Sequence, residues 1–438
     1  CFINNLQLLM TNQSLATSNV LPLNDSLQNY LTSSTFLPNN VWKTSFSPCS
    51  HYLAIPKQDI YGIDCIIVIY CPNWHATSKT DELYVHEKFV CSSSVWSLAF
   101  GQRIIKTDSF DQNISLPLTR RELLGRRRST LSVNNRFDFT KNLFLAAGLA
   151  DGKINIWNVD NAELILVLTD HKSAVCGLAF TPCTMQLASC SHDTKIKLWD
   201  LLDDGNMYKT LDEWTHVINT VKWSPDETLL CAVGPYELVV LYDTATWEEI
   251  WKFEGHLHSV ADCDFSSDSA LLATASFDTR ILLWSTITGE LLKEFIHKIP
   301  IPLQIYAGGD NGAFVRSVVF TKYNQIIIST CDDNHVRLFP IESARLTEPS
   351  FKQSQNNVLC VTSAPDGKTM GIGTRNGEVH LWSILSTYKL PSLKSFCRIT
   401  INSHAGIKRK EIVNLSLSNC LINYLLYKDI KSKQMYIV

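Results

Sequence analysis

Two sets of residues have the makings of a nucleophilic centre. His171, Ser189 and Asp193 recur, at the same intervals, as His256, Thr274 and Asp278. In both, the histidine precedes the hydroxyl by 18 residues and the carboxylate by 22. A hydroxyl, a base and an orienting acid are the parts of covalent catalysis. Each set, however, also carries a tryptophan six residues past the aspartate, Trp199 and Trp284. An indole N–H only donates and does no acid–base work. One four-part set repeated in two places suits mutual hydrogen bonding inside a core better than a single active site. The sets are therefore read as structural. On that reading Asp278→Ala costs a few kcal/mol, within the ~1–3 kcal/mol of an unpaired buried group. Asp268, in "FSSDS", is read as a surface aspartate whose loss is near neutral.

Other chemistry is sparse. The 14 cysteines contain no C-x-x-C pair, and most sit in apolar runs such as "LASCSHD". They read as buried reduced thiols, which points to cytosol or nucleus. No P-loop, G-x-S-x-G or H-E-x-x-H is present, and "GGDNG" (308–312) reads as a turn. No metal, cofactor or catalytic residue is expected. A net charge of -3 argues against nucleic acid as the partner. The longest apolar run, "CIIVIYC", is strand-sized rather than membrane-spanning, and the first residues lack the order of a secretory signal. The dense basic run "TRRELLGRRRS" (119–129) reads as a solvated insertion.

What positions these residues is an internal repeat. "LADGKINIWN", "SHDTKIKLWD", "YELVVLYD", "SFDTRILLWS", "CDDNHVRLFP" and "TRNGEVHLWS" each join a polar turn to an alternating strand. Their closing aromatics, Trp157, Trp199, Tyr242, Trp284, Phe339 and Trp382, are spaced 42, 43, 42, 55 and 43 apart. Such a period resembles the WD-repeat β-propeller, with four strands per blade. The resemblance implies that His171, Ser189, Asp193 and Trp199, and likewise His256, Thr274, Asp278 and Trp284, form the family's buried tetrads. Blade 2 keeps Asp151, blade 6 keeps Asp333 and blade 7 has Asn376. Blade 4 has Trp214 in the histidine place and Tyr236 in the aspartate place, so it is expected to rely on apolar packing or to have given its polar pattern to binding.

Seven blades are expected over 41–384, an all-β fold, with insertions near 101–139 and 297–314. The last blade lacks an outer strand, and part of the 1–40 segment is expected to supply it. The residues just before the turn aspartates, Ala150, His192, Pro235, Phe277, Asp332 and Arg375, would share one rim. Their varied chemistry suits recognition of a target protein, with an exposed Phe277 as anchor.

Residues 390–427 break the β pattern. Leu393, Cys397 and Ile401 fall on one helical face, and "IKRKEIVNL" and "NCLINYLLY" read as two further short helices. Three such helices cannot bury a core alone and need a partner or the propeller flank. The L-x-x-x-C-x-x-x-Ile spacing resembles the elongin-binding box of SOCS-box proteins. Together with "SVWSLAFG", "FEGHLHSVADCDFS" and "PSLKSFCR", it makes the chain similar to the WD repeat and SOCS box-containing family. The resemblance implies a substrate receptor of a cullin–RING ubiquitin ligase; the alternative is a non-catalytic WD-repeat scaffold in another assembly, with the tail packed on its own blades. In the receptor, the propeller would hold the target and the three-helix SOCS box would dock elongin C, with elongin B, through Leu393, Cys397 and Ile401. The family's cullin-5 box reads L-P-x-P, whereas Leu415, Ser416, Leu417 and Ser418 stand here. Loss of both prolines frees φ, so cullin-5 docking is expected to be weakened. Residues 428–438 run past the expected end without an assigned role.

Overall fold

The computed structural model describes residues 20–22, 36–37, 41–71, 84–102, 142–183, 185–236, 238–297, 314–324, 326–342, 350–352, 358–384, 393–403 and 417–430. Seven antiparallel sheets follow one another along the chain and form a seven-bladed β-propeller. Blade 3 sets the pattern: Val175–Phe180, Gln186–Ser191, Ile196–Asp200 and Asn206–Leu211 run from the axis outward in sequence order. The inner three strands of each blade are largely buried because neighbouring blades cover both of their faces. Phe144–Leu149 and Leu271–Ser276 are buried at every position. The outer strands are the most exposed, as in Glu163–Leu168, where only Leu168 is buried, since only one face meets the protein.

Blade 7 has three strands from the end of the ring, Val358–Ser363, Thr369–Thr374 and Val379–Ile384. Its fourth is Val20–Pro22, pairing Val20 with Ile384 and Pro22 with Trp382. Val41, fully buried beside Cys360, Val379 and Leu381, joins blade 1 to blade 7. Its amide donates to the Thr374 carbonyl at 3.2 Å.

The turn between the second and third strands is the same in five blades. The residue after the turn Asp or Asn has positive φ: Gly152 (87°), Thr194 (68°), Thr279 (72°), Asn334 (66°) and Gly377 (87°). In blade 2 only glycine fits, because a Cβ on Gly152 would lie 2.5 Å from the His171 carbonyl oxygen of blade 3.

Past the ring lie two α-helices, α1 (Leu393–Asn402) and α2 (Asn419–Leu425), and a 3-10 turn, Lys428–Ile430. The expected three-helix arrangement is thus seen as two helices. The middle segment "IKRKEIVNL", the cap at Ser392, the basic run 119–129, most of both insertions, Leu415, Ser416 and residues 431–438 lie outside the described residues. Among the described residues no helix is long and apolar enough to cross a membrane.

Gly152→Ala should destabilise the propeller by more than about 1 kcal/mol, because left-handed backbone and a backbone clash act together. Urea unfolding of the purified chain measures this; a cost below about 0.5 kcal/mol would mean the turn relaxes freely.

Candidate functional site: the propeller rim and the outward helical face

The two four-residue sets close as hydrogen-bonded units. His171 Nδ1 lies 2.8 Å from Asp193 Oδ2 and its Nε2 lies 2.8 Å from Ser189 Oγ. The Trp199 indole donates to the same Oγ at 2.8 Å. In blade 5 the matching distances are 2.9 Å to Asp278, 2.7 Å to Thr274, and 3.0 Å from Trp284 to Thr274. Ser189 and Thr274 are fully buried, so neither hydroxyl can meet a substrate. Burial alone would raise the Asp278 carboxyl. His256, Arg280 and the Leu257 amide outweigh it and hold the group down at about 2.

Blades 4 and 6 solve the same problem with other residues, while in blade 2 the turn aspartate is exposed. In blade 4 the Trp214 indole donates to the Tyr242 hydroxyl at 2.8 Å, so a polar pair survives in the place expected to be apolar or given to binding. The two residues swap roles: the donor sits in the histidine place and the acceptor in the tryptophan place. In blade 2, Asp151 accepts from Ser92 at 3.1 Å. Blade 6 uses His297, the first residue of the expected 297–314 insertion, which stands 36 residues before its aspartate rather than 22. His297 Nε2 meets Ser329 Oγ at 2.8 Å, and its Nδ1 faces the Arg337 guanidinium at 3.0 Å. Arg337 is itself held by both Asp333 oxygens. A guanidinium only donates, so Nδ1 must accept and Nε2 carries the proton. In blade 3, by contrast, Nδ1 faces a carboxylate.

The rim is built by a recurring irregularity. The inner strands of blades 2, 3, 5, 6 and 7 each shift register after their first residue, leaving Trp96, Cys176, Ala261, Arg316 and Leu359 as the extra residue. Trp96 meets His192 edge-on at 5.3 Å. Arg316 lies 4.9 Å over the Phe277 ring and binds Asp332 through Nε at 2.9 Å and Nη2 at 2.8 Å. Phe277 stacks on Phe314 at 4.5 Å. Phe277 is therefore half-buried rather than a free anchor, and Asp332 is a buried ion-pair partner rather than a contact residue. Arg375 is exposed, and His192 is partly so.

The sequence reading counts blade 1 but names no contact residue on it or at its seam with blade 2. Trp42 (44% exposed) and Trp96 (38%) line a cavity with Lys57, Asp64 and Ser94. The adjoining turn exposes Ile60, Tyr61 and Ile63. A clustered apolar surface of this kind marks a contact site.

The second exposed apolar surface is on the helices. Leu393 is 80% exposed, Phe396 50% and Ile401 39%, with Cys397 also exposed. Leu417 and Leu421 of the second helical segment are exposed as well. The opposite face of α1 is buried through Arg398 and Asn402. Phe396, at i+3 from Leu393, adds a ring that the four-residue stripe did not include. Ser418 caps α2, accepting from the Leu421 amide.

Asp268 is not a surface residue. It is 1% exposed and accepts from Ser266, Asn324, Asn402 and Tyr427. The buried thiols are inert: burial pushes Cys65 up to about 11 and Cys91 and Cys176 up to about 12.

The WD domain, G-beta repeat model matches residues 162–200, 247–285 and 301–339. The chain is 34% identical over 340 residues to human WD repeat and SOCS box-containing protein 1, covering 77% of this chain and 75% of that one. Its counterpart in Xenopus tropicalis is 36% identical with the same coverage. The Danio rerio protein is 36% identical over 78% of this chain and 75% of its own length.

Asp278→Ala and Asp268→Ala should both lower stability by ~1–3 kcal/mol, since each leaves buried donors unpaired; chemical denaturation of the two variants decides, and a neutral Asp268→Ala would contradict its burial. A pH effect follows from blade 6. Burial first, then Arg337, pushes His297 well below the usual 6.5. The unfolded chain therefore takes up this proton first, so the contribution is complete above pH 6.5 and is lost as pH falls below it. His297→Gln should make the loss of stability between about pH 6.5 and 5 shallower, by at most ~1.4 kcal/mol per pH unit. Urea midpoints across that range test it, and an unchanged slope would mean that His297 titrates normally.

Proposed function

Because the chain belongs to the WD repeat and SOCS box-containing protein family, we propose that it is a non-catalytic substrate receptor of a cullin–RING ubiquitin ligase, acting in cytosol or nucleus. The propeller holds the target protein. The C-terminal helices dock elongin C, and through it elongin B, a cullin and a RING protein. One observation carries this reading: α1 turns Leu393, Phe396, Cys397 and Ile401 to solvent while burying Arg398 and Asn402. A helix held on its polar face with its apolar face free is arranged to receive another protein. Leu393, the most exposed of these, is the natural occupant of a pocket, where burying it contributes ~1.5–3 kcal/mol.

For the target, the blade 1 and blade 2 surface around Trp42 and Trp96 supplies the anchors. His192 and Arg375 supply adaptable polar contacts at the rim. Tryptophan and arginine dominate the binding energy of protein interfaces, which favours these positions over the internally paired Phe277 and Asp332.

Cullin-5 docking depends on the Leu415–Ser418 segment in this reading. Ser418 has φ -61°, which a proline ring would accept. Its hydroxyl nevertheless caps α2, and losing a cap costs ~1 kcal/mol. The gain from a proline there, ~0.4–1 kcal/mol, is thereby offset. Converting both serines to proline should thus tighten cullin-5 binding less than the tenfold that two free gains would give.

The decisive experiment is elongin B–C binding by the purified chain. Leu393→Ala with Cys397→Ala should abolish it without shifting the propeller's melting temperature, because neither side chain is buried. Undiminished binding by the double variant would overturn the docking assignment. Titrating cullin-5 N-terminal domain onto the elongin-bound chain and onto Ser416→Pro/Ser418→Pro tests the loop; a gain of tenfold or more would show that the cap carries no weight.

A further inference from the structure

Asp268 divides its two oxygens between two parts of the chain. Oδ1 belongs to the propeller: it accepts from Ser266 Oγ at 2.6 Å, the Ala270 amide at 3.3 Å and Asn324 Nδ2 at 3.0 Å. Oδ2 belongs to the C-terminal segment: it accepts from the Tyr427 hydroxyl at 2.6 Å and Asn402 Nδ2 at 3.3 Å. One buried carboxylate thus ties blades 5 and 6 to α1 and to the end of α2. Short bonds to a charged acceptor are the strong ones, and here water does not compete.

Its neighbours reinforce the joint. Asn402 Nδ2 also donates to the Leu425 carbonyl at 3.1 Å. The Arg398 guanidinium lies 3.4 Å over Tyr424 and 4.3 Å over Tyr427, and donates to Asp429 at 2.6 Å. Tyr427 and Ile430 are built into the apolar cluster of blades 5 and 6, with Leu292, Phe295 and Ile341. Tyr427 holds φ at +58°, a conformation that a bulky residue adopts only when its side chain is fixed elsewhere. The first residues of the 428–438 tail therefore have a role: Asp429 and Ile430 help hold the helices on the propeller.

We propose that Asp268 is a positioning residue that locks the C-terminal helices in one orientation on the propeller, so that the rim and the outward face of α1 move as a single body. The lock itself rests only on these contacts. Its consequence rests on the ligase reading: a target held at the rim is presented at a fixed angle to whatever α1 binds. The apolar stripe cannot set that angle, because Leu393, Cys397 and Ile401 face away from the propeller.

The test uses the full chain and a charge swap. Asn402→Asp places a second carboxylate against Oδ2, and repulsion should release the helices. Tyr427→Phe removes the other donor while keeping the ring in its cluster. In hydrogen exchange, either change should speed the amides of 398–403 and 421–430 by about tenfold or more, the weight of a charge-assisted bond, and leave the blade 5 strands protected. Combining Asn402→Asp with Asp268→Asn exchanges donor and acceptor across the joint and should recover part of the protection, the bond to the Leu425 carbonyl staying lost; mere loss of a core residue would give no recovery. Small-angle scattering of the elongin-bound chain should show a broader distribution of dimensions for Asn402→Asp and a return with the swap. Unchanged exchange in both single variants, loss of protection in blade 5 along with the helices, or no rescue by the swap would each overturn the proposal. Elongin B–C affinity is measured separately and should change less than about threefold, because the stripe stays exposed. If the parent chain fails to bind elongin, the ligase reading falls while the exchange result still judges the lock.

Discussion

Ring closure is the constraint on which the rest of this structure depends. Each blade has two apolar faces and is stable only when both are covered, so the ring cannot stop at either end. The closing seam uses residues far apart in the chain: Val20–Pro22 completes blade 7, and Val41 packs among Cys360, Val379 and Leu381. At the axis, Lys43 of blade 1 pairs with Asp262 of blade 5 at 3.1 Å, and Ser317 of blade 6 donates to the same aspartate at 2.6 Å. Closure also fixes where function can reside. The blade-to-blade faces are consumed by packing, leaving the rim, the outer flanks and the segments outside the ring as surfaces open to partners.

Polar groups in the blades follow from the same constraint. A strand-to-strand turn buried between blades must satisfy its own donors and acceptors. Blades 3 and 5 do so with histidine, hydroxyl, aspartate and indole. Blade 4 uses one Trp–Tyr bond, and blade 6 inserts an arginine between aspartate and histidine. The requirement is that a buried polar atom have a partner, and several residue sets meet it. That is why triad-like residues recur here: their hydroxyls are buried and consumed by the fold.

The same accounting separates the two candidate contact surfaces from the residues that resemble them. Phe277, Asp332 and Arg316 have the chemistry of an interface but spend it on each other. Trp42, Trp96, Leu393 and Phe396 keep large apolar surfaces in water, which a folded chain retains only where something else covers them or where the ring geometry leaves no alternative. Between these surfaces runs the Asp268 joint, so the structure is a rigid connection from rim to helices rather than two modules on a tether.

The repeat, the blade count and the places of the His171 and His256 sets are legible in the sequence, because they are encoded by local spacing that recurs from blade to blade. The sequence also determined the face of α1, since a helix puts residues four apart on one side whatever surrounds it. Tertiary structure decided everything that depends on a neighbour distant in the chain. Asp268 looks like a turn aspartate in "FSSDS", yet it is buried because Asn402 and Tyr427, 134 and 159 residues later, fold back onto it. His297 belongs to blade 6 although an insertion hides its spacing. Trp42 of blade 1 and Trp96 of blade 2 come together in one cavity only because the two blades are neighbours in the ring, a pairing that no spacing encodes. Local patterns write themselves into sequence because every copy needs them. A single long-range contact leaves no period, and only the folded chain shows it.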